Sequence, residues 1–282
     1  MKTKLSNKQM VGSYNSNGYL VINDILSTNE IEEIRAVCES SDFKHHFEQL
    51  GCDSNTSVFN GLTPVHPVFM KLAKHPAIVE IVNALIGDNV QLHHSKLMRK
   101  PPSKTASERF VGWHRDFAYF PHTNTKLFAL MVMLDDATPE NGCMSVVPAS
   151  HTTGLLEHSS VDMKGFHVNP EKNSAVFEDT EAVSIEPKAG GISIHHCLTL
   201  HSSSENHSGK PRRGIVFQYR ADDCYQLAGS VLEETGMLIS GERTGLVRCD
   251  SGDVYISEDL KQRGGLFKNA WCQEFRSKDS IA

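Results

Sequence analysis

The chain has 282 residues, 39% hydrophobic and 22% charged, with a formal net charge of −6. That is the make-up of a soluble globular protein long enough to bury a substantial core, as one large domain or two small ones. No basic block stands out, which argues against a nucleic-acid partner, and no apolar run approaches the length of a membrane span.

The seven cysteines are odd in number and widely spaced, with no C-x-x-C, so neither a disulfide framework nor a zinc knuckle is expected. Residues Met1 to Gln9 lack the apolar region of a signal peptide. Both points favour a cytoplasmic location.

In chain order, residues 1–10 read as a loose tail, and Asn17-Gly18 precedes a short strand, Tyr19 to Ile22. Ser27 or Thr28 can cap a helix whose buried stripe is Ile31, Ile34, Val37 and Cys38. From Phe43 to Val65 the pattern is lost, which predicts a surface connection or a lid. A second helix begins near Pro67 or Pro76, shows an apolar face at Ile78, Val79, Val82, Leu85 and Ile86, and stops at Gly87.

Beyond Gly87 the periodicity is that of strands: Val90 to Lys100, Leu127 to Leu134, Met144 to Val147, Gly191 to Cys197 and Arg213 to Arg220. Turn signals separate them, notably Asn141-Gly142, Gly190-Gly191 and Gly209-Lys210-Pro211. Strands without intervening helices predict an antiparallel barrel or double sheet such as a jelly roll. The polar segment 151–185 carries no clear assignment. Val231 to Met237 reads as a short helix, and Gly264-Gly265 as a turn before an amphipathic end with Phe267, Trp271 and Phe275.

The chemistry begins at Trp113-His114-Arg115-Asp116. If this piece is extended, His114 and Asp116 leave the same face and can close on one cation. They would supply two-thirds of the 2-His-1-carboxylate triad of non-haem iron sites. An H-x-D triplet is common by chance among 15 histidines, so a third ligand is required. The stretch His195-His196-Cys197-Leu198-Thr199-Leu200-His201 offers His196 and His201 as candidates, and His195 less readily. Arg212 and Arg213 then open an apolar strand. An inward guanidinium needs an anion, and its paired donors suit a carboxylate, hence a dicarboxylic cosubstrate. The other arginine is expected to be exposed at the turn.

Several stretches together resemble the phytanoyl-CoA dioxygenase family of iron(II)- and 2-oxoglutarate-dependent oxygenases. They are Lys100-Pro101-Pro102, Trp113 to Asp116, Tyr119-Phe120-Pro121, Glu140 to Met144, Val147 to Gly154, and His196 through Ser203, Asn206 and Arg212. Their order and spacing are more specific than any single motif. The resemblance implies a mainly β fold, a double-stranded β-helix (jelly-roll, cupin-like) barrel with flanking helices. It implies a single oxygenase domain over residues 1–282, with an N-terminal region near 10–87, a β core near 88–222 and a C-terminal region near 223–282. By position, His114, Asp116 and His201 would be the iron ligands, Arg212 and Ser203 would meet the distal carboxylate of 2-oxoglutarate, and Lys96 would line the cosubstrate pocket. The cofactor and cosubstrates implied are Fe(II), 2-oxoglutarate and O2, with a small-molecule substrate and neither nucleic acid nor membrane as partner.

The implied reaction oxidises an unactivated C–H bond, most simply by hydroxylation, and releases succinate and CO2. Desaturation or ring formation in natural-product biosynthesis, or action on an acyl-CoA, are the alternatives within the class. The aspartate at 116 favours all of these over halogenation, for which related enzymes carry a small residue. Arg115 departs from the family's usual glutamine, and Val132 stands where some members place an aromatic residue by the cosubstrate. Phe117, Tyr119, Phe120 and Tyr225 are candidate pocket residues, while His93, His94 and His122 are expected at the surface or behind the ligands. Two other classes compete: a cupin-type metal hydrolase or isomerase, which needs no Arg212, and a non-catalytic barrel, which would be expected to have lost a ligand or the arginine.

Overall fold

A computed structural model gives the fold and describes residues 6–52, 57–102, 111–153, 158–162, 165–168, 182–229, 231–254 and 256. Helix α1 (Asn7–Asn17) opens on a capping box between Ser6 and Gln9 and ends on Gly18 in the left-handed conformation, φ 77°. It covers residues 7–10 of the expected loose tail. A polar helix that buries only Met10 and Tyr14 has too thin an apolar stripe for periodicity to reveal.

Helix α2 (Thr28–Glu39), capped by Ser27 and Glu30, buries Ile31, Ile34 and Cys38 as expected. Helix α3 (Ser41–Gln49) falls in the stretch expected to be a loop or lid. Its buried face is a single pair, Phe43 and Phe47, with ring centroids 4.8 Å apart. Pro67 and Pro76 each start a helix, α4 (Pro67–Ala73) and α5 (Pro76–Ile86). Proline is tolerated there because the first turn has no use for its missing N–H.

The strands are β1 (Tyr19–Ile22), β2 (Val58–Asn60), β3 (Val90–Lys100), β4 (Val111–His114), β5 (Leu127–Met133), β6 (Met144–Val146), β7 (His158–Asp162), β8 (Gly165–Val168), β9 (Val183–Ile185), β10 (Ile192–His196), β11 (His201–Ser203), β12 (Arg212–Ala221) and β13 (Met237–Ser240). They form a seven-stranded sheet in the order β1-β10-β5-β12-β3-β13 with β2 also on β3, a four-stranded sheet β4-β11-β6-β9, and a hairpin β7-β8. Every pairing is antiparallel. Among the described residues no ladder joins the large sheet to the small one, so the jelly roll is an open double sheet. Residues 233–236 turn into β13, so the helix expected over 231–237 is absent. The aromatic end with Phe267, Trp271 and Phe275 lies outside the described residues.

Alternation divides the large sheet into two unlike faces. Leu97, Ile215, Phe217, Tyr219, Leu130, Val132, Ile192 and Ile194 pack in one core with the buried residues of the helices. The opposite face carries His94, Lys96, Met98 and Lys100 from β3, with Gln218, Val216, Gly214 and Arg212 as their partners in β12. That face looks onto the small sheet, and Tyr19 and Val21 of β1 pack against Met144, Val146 and Ile185 there. The large sheet thus turns its apolar side to the helices and its polar side to the interior between the sheets.

Candidate metal centre

His114, the last residue of β4, is the cross-strand partner of His201, the first residue of β11. Direct pairing sets the two rings side by side, centroids 4.1 Å apart. Arg115 is extended, and Asp116 opens a short 3-10 turn, Asp116–Ala118, so its carboxylate returns toward both rings. One ligand atom from each of His114, Asp116 and His201 lies within 4.8 Å of the others, and all three residues are buried.

The protonation of the rings suits a cation. His114 Nδ1 is 2.8 Å from Gly112 O, and His201 Nδ1 is 2.9 Å from Thr199 O. A carbonyl only accepts, so each Nδ1 carries a proton, and the neutral form of each ring presents its lone pair on Nε2. Those Nε2 atoms stand 3.9 and 3.8 Å from Asp116 Oδ1. Burial first, then the neighbouring His114 and His195, push the His201 imidazole well below its ordinary value, which keeps it neutral. Burial alone would raise the Asp116 carboxyl, but the hydrogen bond from His195 and the neighbouring His201 and Lys96 hold it well below the usual range. Two neutral nitrogens and one carboxylate, converging and backed by carbonyls, could hold a divalent metal such as iron.

The second carboxylate oxygen is held from behind. Gln218 Nε2 donates to Asp116 Oδ2 at 2.8 Å, and His195 Nε2 donates at 3.2 Å. His94, Gln218, Ala129 and His195 lie in one cross-strand row, so the oxygen shared by Gln218 and His195 sits over Ala129, the one small side chain between them. His195 therefore faces the cluster without belonging to it. His196, a candidate ligand by sequence, points the other way, against Tyr14 and His151 at 6.1 and 5.2 Å. Strand alternation separates these neighbours.

A cationic pocket adjoins the cluster. Ser203 is two residues beyond His201 in β11, so its side chain leaves the same face about 7 Å further on. Lys100 Nζ donates to Ser203 Oγ at 2.7 Å. Arg212 pairs with Lys100 across the ladder and is 5% exposed, and its Nε has no hydrogen-bond partner among the described residues. Burial brings the Arg212 guanidinium down to about 10. Arg213, pointing to the other face, grips Asp135 with Nε and Nη2, both at 2.9 Å, so it is an ion-pair anchor rather than an idle exposed residue. Lys96, one row from the cluster, is buried; desolvation lowers its ammonium and Asp116 acts against that.

The remaining candidates divide. Tyr119 stands edge-on to His114 at 5.8 Å, and Phe120 packs on His93 and His94 at 4.9 and 5.4 Å. Phe117 belongs to the helix-side core and Tyr225 is 60% exposed. Val132 also faces the helices, and Met131 and Met133 occupy the inner face instead. His93, His94 and His122 are not at the surface: all are about fully buried, at 1%, 1% and 0% exposure. Arg115, pointing away from the ligands, donates to Ser150 O at 2.6 Å and Thr153 Oγ1 at 2.7 Å, tying down the turn after β6. Gln218 and Ala129 lie in none of the motifs, and Lys100 lies in one without a role assigned to it, yet Lys100 follows Lys96 and Gln218 follows Arg212 at the even spacing of one strand face.

Fold and cluster together are those of a non-haem iron, 2-oxo-acid-dependent dioxygenase. The family model described as phytanoyl-CoA dioxygenase (PhyH) matches residues 14–214. The chain belongs to the phytanoyl-CoA dioxygenase family. A probable alpha-ketoglutarate-dependent hypophosphite dioxygenase of Stutzerimonas stutzeri is 29% identical over 248 residues, covering 82% of this chain and 85% of the relative. An ectoine dioxygenase of Sphingopyxis alaskensis is 26% identical, covering 76% and 75%. Among solved structures, the apo form of the non-haem monooxygenase ThoJ superposes with a TM-score of 0.67 at 22% identity, covering 86% of this chain and 89% of that one, a likeness of fold.

Proposed function

We propose that the protein hydroxylates a C–H bond of a small polar molecule, with iron(II) held by His114, Asp116 and His201 and with 2-oxoglutarate as cosubstrate. The reading is carried by one juxtaposition: a buried cluster of two lone-pair imidazoles and a carboxylate beside a buried, unpartnered arginine on the same interior. When bound, the iron and the oxo acid would together activate O2 for attack on a C–H bond, releasing succinate and CO2. Everything else falls to the protein. Gln218 and His195 keep Asp116 Oδ1 turned toward the imidazoles. Arg212, with the Ser203 hydroxyl, would fix the distal carboxylate by paired charge-assisted bonds. Lys96 would meet the oxo-acid end nearer the cluster. The double sheet excludes water from the space between.

A small, polar substrate is favoured over a fatty acyl chain by the inner face near the cluster, where His94, Lys96 and His195 stand. The relatives named above act, by their names, on hypophosphite and ectoine, both small. Desaturation or ring closure would use the same residues and would be recognised by product analysis. A metal hydrolase is disfavoured because it has no use for a buried guanidinium. No helix among the described residues is long and apolar enough to cross a membrane, and buried thiols at Cys38, Cys143, Cys197 and Cys224 support a reducing, cytoplasmic setting.

The test is an anaerobic titration of the apo protein with iron(II) and 2-oxoglutarate, followed by the visible metal-to-ligand charge-transfer band. Wild type should develop the band, His114→Ala should lose it, and Arg212→Ala should need far more 2-oxoglutarate. Iron binding without a band in wild type would overturn the reading in favour of a metal hydrolase.

A further inference from the structure

Ser150 interrupts a ladder next to the metal centre. Strands β6 and β11 pair with His201 opposite Val146. One residue before His201, Leu200 faces Val147, and Val147 N donates to Leu200 O at 3.0 Å. In a regular antiparallel ladder such a pair exchanges two bonds, so Leu200 N would return the bond to Val147 O. That bond is not made. Leu200 N donates instead to Ser150 Oγ at 2.9 Å, and Ser150 Oγ donates to Val147 O at 2.6 Å. A hydroxyl accepts and donates at once, so it stands as a bridge inside the missing bond. A direct bond would draw the nitrogen and oxygen to about 3 Å, and two bonds in series hold them farther apart. The residue held off in this way is the immediate neighbour of His201.

The wedge is fixed from the other ligand-bearing segment. Ser150 follows Ala149, whose φ of 60° is left-handed, a conformation that costs any residue with a Cβ. Ala149 N is anchored on the carbonyl of Asn17, the last residue of α1, at 2.9 Å. Ser150 O accepts from Arg115 Nη2 at 2.6 Å. Thr153 Oγ1 receives the same Arg115 nitrogen and donates to the same carbonyl, at 2.7 and 2.9 Å. Arg115 lies between His114 and Asp116, and both it and Ser150 are buried. One serine is thus tied by its carbonyl to the segment carrying His114 and Asp116, and by its hydroxyl to the segment carrying His201.

Stability alone does not call for this device. A plain ladder would satisfy Leu200 N and Val147 O without a left-handed alanine or a buried guanidinium. What the bridge changes is spacing. Strand β11 lies between β4 and β6, and the His201 ring stands 4.1 Å from that of His114 on β4. Without the hydroxyl, Leu200 can close on Val147, which draws β11 toward β6 and the His201 ring away from His114. We propose that Ser150 is a positioning residue of the metal centre: its hydroxyl sets how far the His201 segment stands from β6, and so how near it comes to His114 and Asp116, while Arg115 locks the wedge in place. The proposal rests on the reading of His114, Asp116 and His201 as metal ligands. Both residues act through neighbours, Ser150 through Leu200 and Arg115 through Ser150.

The experiment has three readouts: iron(II) affinity, measured anaerobically against a competing chelator; the d–d spectrum of the cobalt(II)-loaded full chain; and the melting temperature of the apo protein. It is run on wild type, Ser150→Val, Ser150→Thr, Arg115→Met and the double variant Arg115→Met/Ser150→Val. Valine and threonine have nearly the same shape, so their comparison isolates the hydroxyl. Ser150→Val should lower iron affinity about 10- to 100-fold, the usual effect of losing an outer support, and should alter the cobalt spectrum. Ser150→Thr should restore both. Arg115→Met should act in the same direction, and the double variant should bind no more weakly than the weaker single variant, because both changes remove one wedge. A serine with a structural role alone would lower the melting temperature and leave affinity and spectrum at their wild-type values, and that outcome would overturn the proposal. So would a threonine variant no better than the valine one, or a double variant in which the two losses add. If the Ser150 variants do not fold, Arg115→Met decides alone: unchanged affinity and spectrum overturn the proposal, and a weakened, altered centre supports it. Wild-type protein that binds neither iron(II) nor cobalt(II) would sink the metal reading, and the proposal with it.

Discussion

Gln218→Leu isolates the device that aims the aspartate. Asp116 Oδ2 accepts from Gln218 at 2.8 Å and from His195 at 3.2 Å, leaving Oδ1 between His114 and His201. Leucine fills similar space but cannot donate, so the carboxylate keeps one tether and can rotate about it. Loss of such an outer partner typically costs 10- to 100-fold in metal affinity, about 1.4 to 2.7 kcal/mol, which agrees with the roughly 1.5–3 kcal/mol of a hydrogen bond to a charged group. Iron(II) affinity, measured anaerobically against a competing chelator, should fall by that factor. His195→Leu should do likewise, and because the two donors share one oxygen the double variant should not show the sum of the single effects. Affinity within twofold of wild type in both single variants, with unchanged melting temperature, would refute the view that these donors aim the ligand.

Ala129→Leu should damage the same centre by a different route, since a branched side chain would enter the place of the shared oxygen; iron binding should fall steeply while Arg212 and Ser203 stay in place. Arg213→Ala removes a bidentate ion pair to Asp135 that is partly solvent-screened, so urea denaturation should show a loss of about 1 kcal/mol with iron affinity unchanged. Burial brings the His122 and His196 imidazoles down to about 3. Both fold neutral and protonate near pH 6.5 when unfolded, so their stability contribution is whole above that pH and is lost as pH falls toward 3. From pH 7.5 to 5.5 they should cost about 3 kcal/mol together, and His196→Phe should remove about 1.4 kcal/mol of the acid destabilisation seen in melting curves.

The strands of the core were legible because each carries a long run of inward or helix-facing residues. The cluster of His114, Asp116 and His201 was legible because its members lie in short motifs at strand ends. What escaped was of two kinds. Helices α1 and α3 bury only Met10 with Tyr14 and Phe43 with Phe47, too few positions for a period to register. The supports of the site, Gln218 and Ala129, and the role of His195 behind the carboxylate depend on which strands pair and in what register. Antiparallel neighbours 60 or more residues apart set that register, and no local pattern encodes it. His196 and His201 looked alike as ligands for the same reason: facing is decided by ladder pairing, which sends His195 inward and His196 toward α1.

The buried histidines behind Phe120 add a constraint on what the interior can recognise. Gln226 Nε2 donates to Ala228 O, which turns Gln226 Oε1 toward His93 Nε2 at 3.0 Å. A carbonyl oxygen accepts, so His93 carries its proton on Nε2. Burial and the adjacent His94 keep His93 neutral, leaving its Nδ1 as an acceptor. The contact of 2.6 Å between His93 Nδ1 and His94 Nδ1 then requires the proton on His94 Nδ1. His94, also neutral by burial, is left with a lone pair on Nε2, in the row that carries Gln218 and His195. One end of the inner face thus presents an acceptor while Lys100 and Arg212 at the other present donors alone. A substrate group that meets His94 Nε2 must bring an N–H or O–H, and a bare anion there would be repelled. Imidazole 15N chemical shifts should show His94 as the Nδ1–H tautomer in wild type, and His93→Phe should release that preference. A wild-type His94 protonated on Nε2 would refute both the chain of donors and the polarity it gives the pocket.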